Sequence, residues 1–210
     1  MKILAHRGYW KTPEEKNTLD ALCAAMKKGY GFESDIRDYC EKLVISHNMA
    51  DASSPDAKEV LKALEQYQDQ CCFAINIKAD GLEEQLKQLL EHYHICNYFT
   101  FDMSVPQMIA YAQAGLSFFT RRSEYETQPA LYQEASGVWV DAFEDDSFIT
   151  AELLNKYICD GKSVCLVSPD LHGRPYLQFW SRLKKFNMNL NSLFLCTDLP
   201  DAADEFFKKE

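Results

Sequence analysis

The chain has 210 residues, of which 47% are apolar, 13% aromatic and 26% charged, the composition of one compact globular domain spanning residues 1–210. With 22 Lys and Arg against 32 Asp and Glu, its formal charge is −10, which works against binding nucleic acid or an anionic membrane. Any phosphate-bearing ligand must therefore be small and locally neutralised.

The N-terminal string MKILAHRGYW meets His6 and Arg7 too early for a secretory signal or a membrane anchor. It reads as a first strand, Ile3–His6, followed by a helix with apolar spacing at Leu19, Leu22, Cys23 and Met26. Two strand runs, Phe32–Arg37 and Leu43–His47, are separated only by the polar turn Asp38–Lys42, so they predict a hairpin rather than two crossover units. A helix starting near Ser54-Pro55 and carrying Ala57, Leu61 and Leu64 leads to a strand over Cys72–Ile77. Next come helical spacing at Leu82, Leu86, Leu89 and Tyr93, a strand at Tyr98–Phe101, and a helix capped by Ser104 with Ile109 and Ala112. Strands at Leu116–Thr120 and Val138–Val140 precede a helix capped by Thr150 with Leu153, Leu154 and Tyr157. The strands Ser163–Val167 and Leu193–Thr197 close the series. Each is followed by helical spacing, at Tyr176, Trp180 and Leu183 and then at Ala203, Phe206 and Phe207.

Counting the hairpin once leaves eight strand–helix units, the period of a parallel (β/α)8 TIM barrel. An open doubly wound sheet uses the same alternation, but no GxGxxG follows the first strand to support it. The eight cysteines show no CxxC or Cys/His zinc spacing and sit mostly in apolar runs. They read as reduced thiols of a cytoplasmic protein. No stretch approaches the roughly 20 apolar residues of a spanning helix, so membrane insertion is not expected.

In such a barrel the C-terminal strand ends face the active-site mouth. Here those ends carry His6-Arg7, Glu33 and Asp35, Asn76 and Lys78, Asp102, Arg121-Arg122, Asp141, Asp170 with His172 and Arg174, and Thr197-Asp198. So many ionisable groups at one end suit a site better than a core. Glu33 and Asp35 share one face of their strand, and a hairpin centred near Cys40 is expected to bring His47 about opposite Glu33. Adjacent carboxylates repel unless a cation lies between them, and oxygen ligands suit Mg²⁺ or Ca²⁺.

The string AHRG, with Pro13, Asn17-Thr18, Gly29, FESDIRD and KLVISHN, resembles the signature of the glycerophosphodiester phosphodiesterase family. That family lies within the superfamily of phosphatidylinositol-specific phospholipase C and sphingomyelinase D. INIK at 75–78 and CTDLPDAA at 196–203 echo its later motifs. The resemblance implies a TIM barrel, a divalent metal held by acidic side chains, and two histidines acting as acid and base on a small phosphodiester. By position, His6 and His47 are the catalytic pair. Arg7 and Lys78 contact the substrate phosphate, and Glu33, Asp35 and the residue at 76 hold the metal.

The chain departs from that pattern at five points. The third acidic ligand of the family is replaced by Asn76, whose amide oxygen can still ligate Mg²⁺ or Ca²⁺ with one negative charge fewer; Asp102 is a candidate to supply that charge. Asn48 stands where the family usually has Asp after the histidine. The usual family insertion after that histidine is missing, and Glu14-Glu15 alters the spacing before Asn17-Thr18. The loop SPDLHGRPY differs from the family's Trp-Thr pattern; His172 and Arg174 in it are expected to contact a polar head group. Three activities stay open on these residues: hydrolysis of the diester, a lyase reaction ending at a cyclic phosphate, and a non-catalytic phosphate or sugar-phosphate binding barrel whose metal site has degenerated. None of these motifs sets an oligomeric state.

Overall fold

The computed structural model describes residues 1–186 and 188–208. Nine strands form one sheet: β1 (Lys2–His6), β2 (Gly31–Tyr39), β3 (Lys42–Ile45), β4 (Phe73–Ile77), β5 (Tyr98–Phe101), β6 (Phe119–Arg122), β7 (Gly137–Val140), β8 (Ser163–Val167) and β9 (Leu193–Thr197). Eight are parallel in the order β5-β4-β2-β1-β9-β8-β7-β6, and β3 hangs antiparallel on β2. The two ends of that row meet at a single parallel bridge, Thr100 to Phe118, where the Thr100 N–H donates to the Ser117 carbonyl at 2.9 Å. The result is a barrel with one thin seam.

Seven helices cover it: α1 (Leu19–Lys27), α2 (Ala57–Leu64), α3 (Glu83–His92), α4 (Val105–Ala114), α5 (Ala151–Cys159), α6 (Leu177–Lys185) and α7 (Pro200–Lys208). No helical spacing is read between β6 and β7, and residues 123–136 run there as bends and turns. Pro129 and the polar run before it offer no helical apolar stripe. The second helix starts later than Ser54-Pro55, at Ala57, because the Asp56 side chain caps it by accepting from the Lys58 N–H at 3.0 Å. On α4 the buried face is Gln107, Met108 and Tyr111, and Ile109 points to solvent.

Central strands such as β4 (FAINI) are buried at every residue, which is why their sequences run apolar without alternation. Inside the barrel Phe99 stacks on Phe119 at 3.7 Å between ring centroids, and Phe101 on Trp139 at 3.8 Å. All eight cysteines are free, and Cys71, Cys72, Cys165 and Cys196 are buried. No helix among the described residues is long and apolar enough to cross a membrane.

Candidate active site

The turn after β1 fixes the first half of the site. Arg7 and Gly8 both adopt positive φ, at 57° and 92°. A side chain at Gly8 would bring its Cβ to 2.7 Å from the Ala21 backbone, so only glycine lets the turn pass this close to α1. The kink aims the Arg7 N–H at Glu33 Oε2, 3.2 Å away, and its Nε at Asp35 Oδ2, 3.3 Å away.

His6, Glu33 and Ala74 are successive register partners across β1, β2 and β4, as are Asp35 and Asn76 across β2 and β4. Asp35 is wholly buried and strongly compensated: Lys78 Nζ lies 3.2 Å from Oδ1, and Asn17 donates to Oδ2 at 2.8 Å. Glu33 is also buried; the Arg7 N–H donates to its Oε2 at 3.2 Å, and His6 Nε2 lies 3.8 Å from the same oxygen. Burial, reinforced by the charge of Asp35, pushes its carboxyl up to about 8.

His6 is held from the other side. Its Nδ1 lies 2.6 Å from Asp198 Oδ1, and its carbonyl accepts from the Trp10 indole N–H at 2.9 Å. With the Nδ1 proton kept on His6 and donated to the Asp198 carboxylate, Nε2 is left as the acceptor. Burial holds the His6 imidazole below its ordinary value, against the opposing pull of Asp198. Burial also works to raise Asp198, but hydrogen bonds and charge from His6 and Lys16 outweigh it and keep that carboxyl low. Lys16 Nζ donates to Asp198 Oδ2 at 3.1 Å, and the Asp198 N–H donates to Asp170 Oδ2 at 2.8 Å.

These groups open on a cavity of about 220 Å³ at the barrel mouth. His6, Arg7, Glu33, Asn76 and Lys78 line it from β1, β2 and β4; Trp139, Asp141 and His172 line it from β7 and the turn after β8. The sequence expectation for the mouth thus brings together His6, Arg7, Glu33, Asn76, Lys78 and His172, with Asp35 directly behind. His47 reaches the same cavity from an exposed position.

Two placements differ from expectation. The hairpin turns at Cys40-Glu41, both at positive φ, as a two-residue turn needs. It pairs Ile36 with Ile45, and the Ser46 N–H donates to the Asp35 carbonyl. The register is therefore one residue off the expected one, and His47 leaves the ladder instead of facing Glu33. Its Nδ1 meets Asn48 Oδ1 at 3.0 Å. Arg174 does not line the mouth. Its guanidinium donates to the carbonyls of Ala142 at 2.6 Å and Glu144 at 3.0 Å and pairs with Asp146, so it clamps the loop after β7.

Asp198 and Asp141 stood at strand ends in the sequence without a partner. The structure gives each a histidine: His6 for Asp198, and His172, 2.7 Å from Asp141, for the other. The Thr197-Asp198 pair ending a strand beside the AHRG strand was the only sequence signal for the first.

Among the described residues no three His, Cys, Asp or Glu side chains converge as a metal cage. The hard oxygens present are the carboxylates of Glu33 and Asp35 and the amide of Asn76. Asn76 Oδ1 is buried without a hydrogen-bond partner, and Asp35 Oδ1 meets the Lys78 ammonium at 3.2 Å. The unpartnered Asn76 oxygen on the strand beside Asp35, with the Glu33 carboxylate close by, forms a hard-oxygen donor set that fits Mg²⁺ or Ca²⁺.

No family model matches this sequence, and no curated protein matches it. Solved structures do. A glycerophosphodiester phosphodiesterase from Agrobacterium tumefaciens is similar over 98% of this chain and 99% of its own, at TM-score 0.67 and 13% identity. An Oleispira antarctica phosphodiesterase solved with the product sn-glycerol-3-phosphate is similar over 100% and 97%, at TM-score 0.66 and 16% identity. A Ca²⁺-dependent phosphatidylinositol-specific phospholipase C from Streptomyces antibioticus follows over 96% and 95%, at TM-score 0.53 and 11% identity. At these identities the likeness is one of fold: a compact TIM barrel of the kind these phosphodiesterases share.

Proposed function

We propose that the protein is a metal-dependent phosphodiester hydrolase acting on a small, polar, glycerophosphodiester-type substrate, with His6 and His47 as its acid–base pair. One observation carries this reading: His6, locked by Asp198 with Nε2 as acceptor, opens on the same small cavity as Arg7 and Lys78. Phosphodiester cleavage needs those parts: a base for the attacking hydroxyl, and fixed positive charge for the phosphoryl oxygens.

In this scheme Nε2 of His6 takes the proton of the attacking water as its oxygen bonds to phosphorus. His47 gives a proton to the leaving alcohol oxygen as the P–O bond breaks. Arg7 and Lys78 hold the non-bridging oxygens, and His172 contacts the polar group beyond them. Glu33, Asp35 and Asn76 would hold the divalent cation, Mg²⁺ or Ca²⁺, which when bound adds positive charge where negative charge develops on the phosphoryl group. The cavity volume of about 220 Å³ favours a head group of glycerol phosphate size. The free cysteines and acidic surface favour a cytoplasmic setting and a small-molecule partner.

The test is release of alcohol or phosphomonoester from a panel of glycerophosphodiesters with Mg²⁺, Ca²⁺ or EDTA, beside His6→Ala and His47→Ala. Turnover that requires metal and both histidines supports the proposal, and ¹⁸O from water entering the phosphate separates hydrolysis from a lyase. Asn76, which leaves the site one charge short, favours a second reading as a phosphate-binding barrel. Phosphate binding by calorimetry without turnover on any diester would favour that reading.

A further inference from the structure

Asn76 is the point where the proposed metal site is weakest, and Asp102, which lines the same cavity, changes what that amide offers. Asn76 Nδ2 donates to Asp102 Oδ2 at 3.2 Å. An amide whose N–H₂ end is held by a carboxylate must present its carbonyl oxygen elsewhere. Here that oxygen, Oδ1, is buried and unpartnered, on the strand beside Asp35. If the side chain turned over, its N–H₂ would take the ligand position and meet a cation with two positive hydrogens.

Asp102 is itself built to stay in place. It directly follows β5 at φ 69°, a left-handed conformation that few residues other than glycine, Asn and Asp adopt. Its second oxygen, Oδ1, accepts from Arg121 at 2.9 Å, and Arg121 in turn pairs with Glu126. That ion pair spans β5 and β6 at the thin seam of the barrel, so the carboxylate that grips Asn76 is anchored from outside the site.

From this geometry we infer that Asp102 is a positioning residue that converts Asn76 into a stand-in for a carboxylate ligand. It fixes the amide with Oδ1 toward the metal position, and its charge, reaching Nδ2 through a hydrogen bond, makes that oxygen a stronger donor. The missing negative charge is thus kept in the site, one hydrogen bond further out. The inference rests on the proposed metal site and adds to it which residue makes an amide serve there.

The experiment is calorimetric titration of the whole chain with Mg²⁺, Ca²⁺ and Mn²⁺ alone, without substrate, on the wild type, Asp102→Asn and the double variant Asn76→Asp/Asp102→Asn. The double variant exchanges carboxylate and amide across the same hydrogen bond. Asp102→Asn is expected to bind metal about 10- to 100-fold more weakly, and the exchange to restore binding to at least the wild-type level. Thermal melts and circular dichroism on all three identify a variant that has lost its fold; Asn76→Asp alone, expected to bind no more weakly than the wild type, then replaces it. Wild-type binding with Asp102→Asn within twofold of it overturns the inference and leaves the metal site standing. A folded exchange variant that stays as weak as Asp102→Asn also overturns it. No binding of any of the three cations by the wild type overturns both.

Discussion

His6 and Asp198, 192 residues apart in sequence, meet at 2.6 Å where the first and last strands of the barrel run side by side. The contact joins the two ends of the chain at the mouth and fixes which imidazole nitrogen carries the proton. It is supported in turn by Asp170, which accepts from both Thr197 Oγ1 and the Asp198 N–H.

Replacing Asp198 by Asn keeps the shape and lets the wrong nitrogen of His6 become protonated. The expected result is a fall in kcat of about 10²- to 10⁴-fold with KM little changed. Asp198 also opposes the effect of burial on His6, so its loss moves the His6 titration to still lower pH. The acid limb of the rate profile, which reports the neutral base, should shift down with it. Stopped assays between pH 4 and 9 on both proteins check this; an unchanged kcat would remove Asp198 from the mechanism.

Metal binding should displace a proton. Glu33 titrates at about 8 in the metal-free protein, because it is buried beside Asp35. A cation binds the ionised form, so below that pH binding must drive the proton off. Affinity is therefore expected to fall as pH drops from 8 to 6 and to level off above 8. Calorimetry in buffers of different ionisation enthalpy should register proton release at pH 7. Equal apparent enthalpies in all buffers would contradict the assignment.

Arg174 now has a structural role to test. Its guanidinium holds two carbonyls and a carboxylate of the loop after β7. Arg174→Ala leaves those acceptors unpaired and should cost about 1–3 kcal/mol of stability. KM should be unchanged, since the side chain does not reach the cavity. His172→Gln should do the reverse, raising KM with little loss in melting temperature.

The barrel was legible because strands such as β5, β8 and β9 are short apolar runs between turn signals, a local pattern that burial on both faces imposes. The same locality explains why seven helical runs, and not eight, were legible for eight strand units. The rhythm continued across residues 123–136, but no apolar stripe backed it there. Within the site, His6, Arg7, Glu33, Asp35, Asn76 and Lys78 were legible because strand ends and a period of two fix their faces. Pairing across the barrel was not. Whether Arg174 faces the mouth or a neighbouring loop depends on the backbone of Ala142 and Glu144, and Asp141 finds His172 only once β7 and β8 lie side by side. The hairpin register slipped by one because a two-residue turn at 40–41 and a turn centred on Cys40 leave nearly the same apolar pattern.

Glu33 makes the trade between function and stability measurable. Its carboxyl is raised from 4.5 to about 8 in the folded, metal-free protein. A group that holds its proton more tightly folded than unfolded weakens the fold as pH climbs through that interval. Glu33→Gln removes this burden and keeps an acceptor for the Arg7 N–H. At pH 8 without metal the variant should melt higher than the wild type, by about 2–4 °C for each kcal/mol relieved. At pH 3, below the unfolded value of 4.5, where the wild-type carboxyl is protonated in both states, the difference should vanish. The same change removes a metal-site charge, so metal-dependent turnover should collapse even as stability rises. Saturating Mg²⁺ or Ca²⁺ should then reverse the order of melting temperatures, because binding stabilises only the wild type. Melts at the two pH values, with and without cation, give all four comparisons; a Glu33→Gln protein less stable than the wild type at pH 8 without metal would show that the buried carboxylate is already compensated.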